Sequence, residues 1–137
     1  MKDLLIVAQN YVGIPWKESL GDTLDGMDCY SFCRYFLMKE CNLVLPRYKY
    51  CVKGYMQVSQ EIASKIAETV IPVPASEAKP SDLILMRYAN KNCHIAVYLG
   101  HEKFIHCDDP ESSIANFSDM LHLVRAAHRI QGFYRCK

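Results

Sequence analysis

The sequence predicts an α+β fold in which N-terminal helices pack on an antiparallel β-sheet. Two observations carry this. Apolar residues recur at helical spacing in the first half of the chain, up to Val70. After Pro72, Pro74 and Pro80, short apolar runs separated by turn signals continue to Cys136.

The elements follow in order. Asp3 to Tyr11 reads as a short helix with Leu4, Leu5, Ala8 and Tyr11 on one side. Gly13, Pro15, Gly21, Asp22 and Gly26 mark an irregular loop leading to Cys29. Asp28 is suited to cap a second helix, in which Phe32, Tyr35 and Phe36 recur until Asn42 ends it. Leu45-Pro46-Arg47 breaks the pattern. Ser59 to Val70 reads as a third, amphipathic helix, with Ile62, Ile66 and Val70 on one face. Beyond the prolines, Asp82 to Met86, Cys93 to Leu99 and Glu102 to Cys107 read as strands, the last two forming a hairpin about Gly100. Val124 to Arg129 and Gly132 to Cys136 read as later strands. No repeat or interdomain linker is visible, and 137 residues make a single domain spanning 1–137.

A formal charge of +1 and the lack of any Lys/Arg run give no reason to expect nucleic acid as a partner. No segment has the apolar length of a membrane span, so membrane insertion is not expected. The apolar run Leu4 to Ala8 is too short for a signal peptide core. Synthesis in the cytoplasm without a signal peptide is therefore the expectation, with delivery by other means if the substrate lies outside. Seven cysteines, an odd number without a signal peptide, argue against a secreted disulfide framework. Cys93-His94 and His106-Cys107 look like zinc ligand pairs, but adjacent strand residues point to opposite faces and do not converge on one ion. Neither a metal nor another cofactor is expected.

Cys29, His94 and His106 carry the chemistry. A helix start puts unpaired N–H groups and the positive end of the dipole beside the Cys29 sulfur, favouring thiolate. A histidine on a rigid neighbouring strand can take the thiol proton and return it to a leaving amine. A second polar group then fixes the imidazole tautomer. Each residue also has an ordinary structural use, Cys29 as a small core side chain above all. With the hairpin centred on Gly100, residues whose numbers total 200 oppose one another. That register sets His94 against His106 on one face and Cys93 against Cys107 on the other. His101, His122 and His128 read as surface or turn residues.

Six stretches in order resemble the NlpC/P60 family of papain-like cysteine peptidases. They are Tyr11-Val12-Gly13-Ile14-Pro15-Trp16, Asp28-Cys29, Leu45-Pro46-Arg47, Pro80-Ser81-Asp82-Leu83, His94-Ile95-Ala96-Val97-Tyr98-Leu99-Gly100 and Phe104-Ile105-His106. The cysteine segment, Asp28 to Arg34, followed by Asn42 to Tyr48, is similar to the branch associated with phage tails, which reads D-C-W-G-L-V-R and then G-I-x-L-P-R-Y. The resemblance implies a papain-like fold and a thiol peptidase that cleaves peptidoglycan stem peptides, typically between γ-D-glutamate and the diamino acid. It implies Cys29 as nucleophile, His94 as general base and acid, and His106 as the group that orients His94.

The chain departs from the family pattern in places. The small residue usual two places after the cysteine is Ser31 rather than Gly, and Tyr30 precedes it, an arrangement expected to narrow the cleft. Ser81 replaces the glycine of P-G-D. Trp16 stands where many members carry a tyrosine, leaving only an indole N–H as donor. Candidate oxyanion or substrate groups are therefore Trp16, Tyr11, Tyr30 and Arg34, with Arg34 and Arg47 available for a stem carboxylate. Bacterial cell wall is the expected place of action, with phage tail proteins as possible partners. The rival readings are a non-catalytic tail or assembly protein, an antibacterial effector amidase and a thiol acyltransferase.

Overall fold

The computed structural model describes residues 3–14, 29–45, 68–88, 91–107 and 118–137. Trp16, Asp28, Arg47 and the span 59–67 of the expected third helix lie outside the described residues, as do the side chains of Cys29 and Cys93.

Helix α1 runs Leu4–Ala8 and continues as a 3-10 turn to Tyr11. Asp3 caps it by accepting the Leu5 N–H at 3.0 Å. Helix α2 runs Cys29–Cys41. Phe32, Cys33, Phe36 and Leu37 recur along one stripe and are wholly buried. Asn42, at φ 56°, ends the helix, and Leu43 N–H bonds the Leu37 carbonyl.

Six strands form one sheet, all neighbours antiparallel: β1 Val70–Val73, β2 Leu83–Tyr88, β3 Lys91–Gly100, β4 Lys103–Cys107, β5 Ser118–His122 and β6 Ile130–Cys136. Their order is β1-β6-β2-β3-β4-β5. Both helices pack against β3, and α2 also against β4. The main core joins Phe32, Phe36 and Leu37 to Ile95, Val97, Leu99 and Ile105. The other face carries Ile84, Met86, Ala96, Tyr98, Phe104 and Phe133. This is the expected α+β arrangement of helices on an antiparallel sheet. Among the described residues no helix is long and apolar enough to cross a membrane.

Two element assignments are corrected. Val70 does not end a helix; it opens β1 opposite Cys136. Val-Ile-Pro-Val is β-branched, and Pro72 disfavours helix for Ile71, so the segment is extended, with its proline on an edge strand. Val124 to Arg129 is not a strand but a helical turn, Leu123–Ala126, and a 3-10 turn, Ala127–Arg129. Its alanines favour helix, and the strand lies earlier, at β5.

The β3–β4 register is also corrected. Val97 faces Ile105 and Tyr98 faces Phe104, two residues from the expected pairing. The turn is His101-Glu102, at φ 55° and 63°, the two-residue geometry with both central residues left-handed. Gly100, at φ 85°, is not the turn centre; it pairs with Lys103 next to a bulge whose extra residue is Leu99. A Cβ on Gly100 would lie 3.1 Å from Pro80 Cγ, so close packing as well as φ favours glycine. A slip of two residues preserves the face of every side chain, whereas a slip of one would invert it.

Candidate active site

Helix α2 and strand β3 run in the same direction. The C-terminal end of α2, Met38 to Leu43, borders a cavity shared with Pro80 and Ser81. Ser81 N–H bonds the Tyr98 carbonyl at 2.9 Å, which puts that cavity at the Gly100 end of β3. Further back, Cys33 Sγ donates to the Ile95 carbonyl at 3.5 Å. Cys29 begins the helix one turn earlier, about 6 Å along the axis. The N-terminus of α2 therefore lies at the end of β3 that carries His94.

The sheet is irregular at that end. Met86 faces His94, but Tyr88 faces Lys91, so β3 holds an extra residue just before His94. On the other side of Met86, β6 holds a second extra residue at Gln131. Bulges increase local twist and re-aim the side chains beside them.

His94 and His106 are each 1% exposed. His94 Nε2 and His106 Nδ1 are 2.8 Å apart, a hydrogen bond between rings inclined at 81°. The corrected register, carried one step on, sets Ala96 level with His106, so the histidines pair diagonally across the hairpin. Diagonal Cα neighbours lie about 7–8 Å apart, a span two imidazoles bridge. The expected shared face holds, while the expected direct opposition does not. Cys107 points into the main core instead, its Sγ donating to the Ile14 carbonyl at 3.7 Å.

The His94 imidazole is held well below its ordinary pKa, first by burial, then by His106 and Arg129. A neutral ring at physiological pH can accept a proton. With Nε2 engaged by His106, Nδ1 is the nitrogen chemistry would use towards a thiol.

The four tentative site residues are distributed differently. Tyr11 donates its hydroxyl to Glu40, near the C-terminal end of α2 and roughly 16 Å along the helix from Cys29. Burial, then the bond to Glu40, raises the Tyr11 pKa. Its ring packs edge-on against Phe36, with centroids 5.0 Å apart. Its ring also meets Phe32 edge-on at 6.4 Å, so Tyr11 belongs to the helix-packing cluster and its hydroxyl is directed to Glu40, away from the start of α2. Tyr30 is 3% exposed and part of the core. Arg34 donates Nε to the Leu45 carbonyl at 3.1 Å, tying α2 to the segment after it. Trp16 lies outside the described residues.

Two neighbours of the histidine pair have weak sequence signals. Arg129, in the turn before β6, acts electrostatically on His94; it sat in a segment expected to be strand. Asp119 on β5 is the register partner of His106. Only recognition of Ser118–His122 as a strand would have found it. Among the described residues no three His, Cys, Asp or Glu form a metal-binding group.

The sequence profile of the NlpC/P60 family matches residues 16–127. The murein DD-endopeptidase MepS/murein LD-carboxypeptidase of Escherichia coli K12 is 27% identical over 86 residues, 63% of this chain. This chain spans 38% of the length of that relative. The NlpC/p60 domain of peptidoglycan hydrolase SagA superposes with a TM-score of 0.63 at 21% identity, covering 98% of this chain and 97% of that domain. RipD from Mycobacterium tuberculosis, described as a non-catalytic NlpC/p60 domain protein adapted to peptidoglycan binding, superposes at 0.59 with 13% identity, covering 96% and 92%.

Proposed function

The chain belongs to the NlpC/P60 family, and from that premise we propose that it is a cysteine endopeptidase that hydrolyses peptidoglycan stem peptides. The buried His94–His106 hydrogen bond, at the end of β3 beside the start of α2, is the observation that carries this reading. Cys29 serves as nucleophile, His94 as general base and then general acid, and His106 as the group holding His94.

The Cys29 sulfur gives its proton to His94 Nδ1 and attacks the amide carbon, forming a tetrahedral oxyanion. The protonated imidazole returns the proton to the departing amine as the C–N bond breaks. A water, deprotonated by the same nitrogen, then hydrolyses the thioester. Helix α2 covers the sheet face of Ile95, whereas the imidazoles carry the face of Ala96 and Phe104. Thiol and imidazole must therefore meet around the end of the sheet, where the bulges flank Met86. The Cys29 backbone N–H, at a helix start, is available to the oxyanion.

For the bond, we propose the link from γ-D-glutamate to the diamino acid, and for the setting, a phage or prophage tail acting at the bacterial cell wall. The D-C-x-x-x-x-R segment and Leu45-Pro46-Arg47-Tyr48 support that setting. The MepS relative is named for different bonds, DD and LD, so the bond needs its own test. RipD makes a non-catalytic wall-binding protein the second reading; the retained Cys29, His94 and His106 favour catalysis.

Mass spectrometry of lysine-type and diaminopimelate-type peptidoglycan after incubation decides among them. New stem fragments from wild type and none from Cys29→Ala are expected, and their masses name the bond. Intact stems on both walls, with wall still pulled down by the protein, would favour the second reading.

A further inference from the structure

At the opposite end of β3 from the histidine pair, a cavity of about 640 Å³ opens between α1, the end of α2 and the turn before β2. That volume suits a small ligand, whose sites typically enclose roughly 300–1,000 Å³. Leu4, Met38, Leu43 and Pro80 supply apolar lining, and Asn42 and Ser81 add polar residues.

Backbone strain converges on the same place. Among the described residues, the non-glycine positions with positive φ are Asn42, Ser81, His101 and Glu102. His101 and Glu102 form the hairpin turn, but Asn42 and Ser81, far apart in sequence, border this one cavity. Glycine takes either conformation more easily. Ser81 stands where the family motif has glycine, so this chain keeps a hydroxyl-bearing residue at the cavity against its backbone preference. Strained residues of this kind cluster at ligand-holding sites.

The lining also selects among ligands. Ser81 N–H bonds the Tyr98 carbonyl and Leu43 N–H the Leu37 carbonyl, so neither amide is offered to a peptide strand. Lys39 and Glu40 balance in charge at the cavity; Lys39 lies over the Tyr35 ring and Glu40 accepts from the Tyr11 hydroxyl. A neutral ligand with apolar faces, hydroxyls and acetamido groups matches apolar walls beside a hydroxyl and a carboxamide. Of the two parts of the wall polymer, the stem peptide carries carboxylates, whereas the N-acetylated sugar chain is uncharged along its backbone.

We propose that this cavity binds the N-acetylated amino-sugar chain of the cell wall, as an anchoring site apart from the chemistry. The choice of ligand rests on the peptidoglycan reading. Cys41, at the cavity, lies about 18 Å along α2 from Cys29, so a glycan strand held here leaves the nucleophile open to stems.

Titration of nitrogen-15-labelled protein with chitotetraose, a soluble N-acetylglucosamine tetramer, tests the site. Saturable shifts are expected at the amides of Asn42, Leu43 and Ser81. Cellotetraose, which has no acetamido groups, should bind at least about fivefold more weakly. Ser81→Gly and Asn42→Gly should each weaken chitotetraose binding about three- to tenfold. Both should keep or raise the melting temperature, because glycine relieves each conformation, so the lost affinity is not a folding defect. Wild-type affinity in both variants, equal binding of cellotetraose, or no saturable shift at these amides would overturn the inference. The titration needs no cleavage and so separates the two readings. Saccharide binding with uncut stems leaves the cavity site standing without the peptidase, and cut stems without saccharide binding leave the peptidase without the cavity site.

Discussion

His94 is buried and held neutral, and this has a consequence for stability as well as chemistry. Its folded pKa lies well below 6.5, so the unfolded chain binds this proton more readily than the folded one. Stability is then fully present above about pH 6.5 and falls as pH drops below it, by up to ~1.4 kcal/mol per pH unit from this group. Denaturant unfolding between pH 7 and pH 5 should show that slope, and His94→Gln should flatten it; equal slopes would mean that His94 does not carry the charge cost. Tyr11 makes the opposite case. Its hydroxyl serves Glu40, so Tyr11→Phe should cost about 1 kcal/mol of stability and leave kcat within twofold. A large loss of kcat at unchanged stability would return Tyr11 to the oxyanion.

Among the elements, the turn before β2 stores strain that the sequence makes visible. Pro80-Ser81 places Ser81 at φ 83°, a conformation suited to glycine, where the family motif has glycine. The turn is held by its surroundings. Lys79 N–H donates to Asp82 Oδ2 at 2.8 Å, and Arg135 grips both Asp82 oxygens at 2.8 and 2.9 Å. Ser81→Gly should stabilise the fold by about 1 kcal/mol in thermal or denaturant unfolding. A destabilised variant would show that the serine hydroxyl matters more than the backbone. Asp82→Asn, which breaks the two-pronged pair, should cost about 2 kcal/mol. Elements were legible in the sequence where pattern and local chemistry agreed. Asn42 ended α2 as its left-handed preference requires, and β2, β3, β4 and β6 followed their apolar runs. Register was not legible, because two non-glycine residues adopt the left-handed turn and the nearby glycine sits next to a bulge. β5 was missed because Ser-Asp-Met-Leu-His is a short, polar edge strand whose apolar alternation is weak.

The whole molecule is a sheet with its candidate chemistry gathered at one end. The corrected hairpin keeps both imidazoles on one face because a two-residue slip preserves parity. Parallel travel of α2 and β3 brings the helix start to the same end, while Glu40, which binds the Tyr11 hydroxyl, and the cavity of Met38 to Leu43 lie at the other. The histidine pair was readable from motif and parity. The neighbourhood of Arg129 and Asp119 was not, because it depends on strand order β4-β5 and on the turn before β6, which no local pattern encodes. Kinetics on a soluble stem tripeptide containing γ-D-glutamate and a diamino acid test the central claim most directly. Cys29→Ala and His94→Ala, both folded by circular dichroism, should each lose at least about a thousandfold in kcat relative to wild type. Cleavage by Cys29→Ala at a rate near wild type would contradict the assignment of the nucleophile and the mechanism built on it.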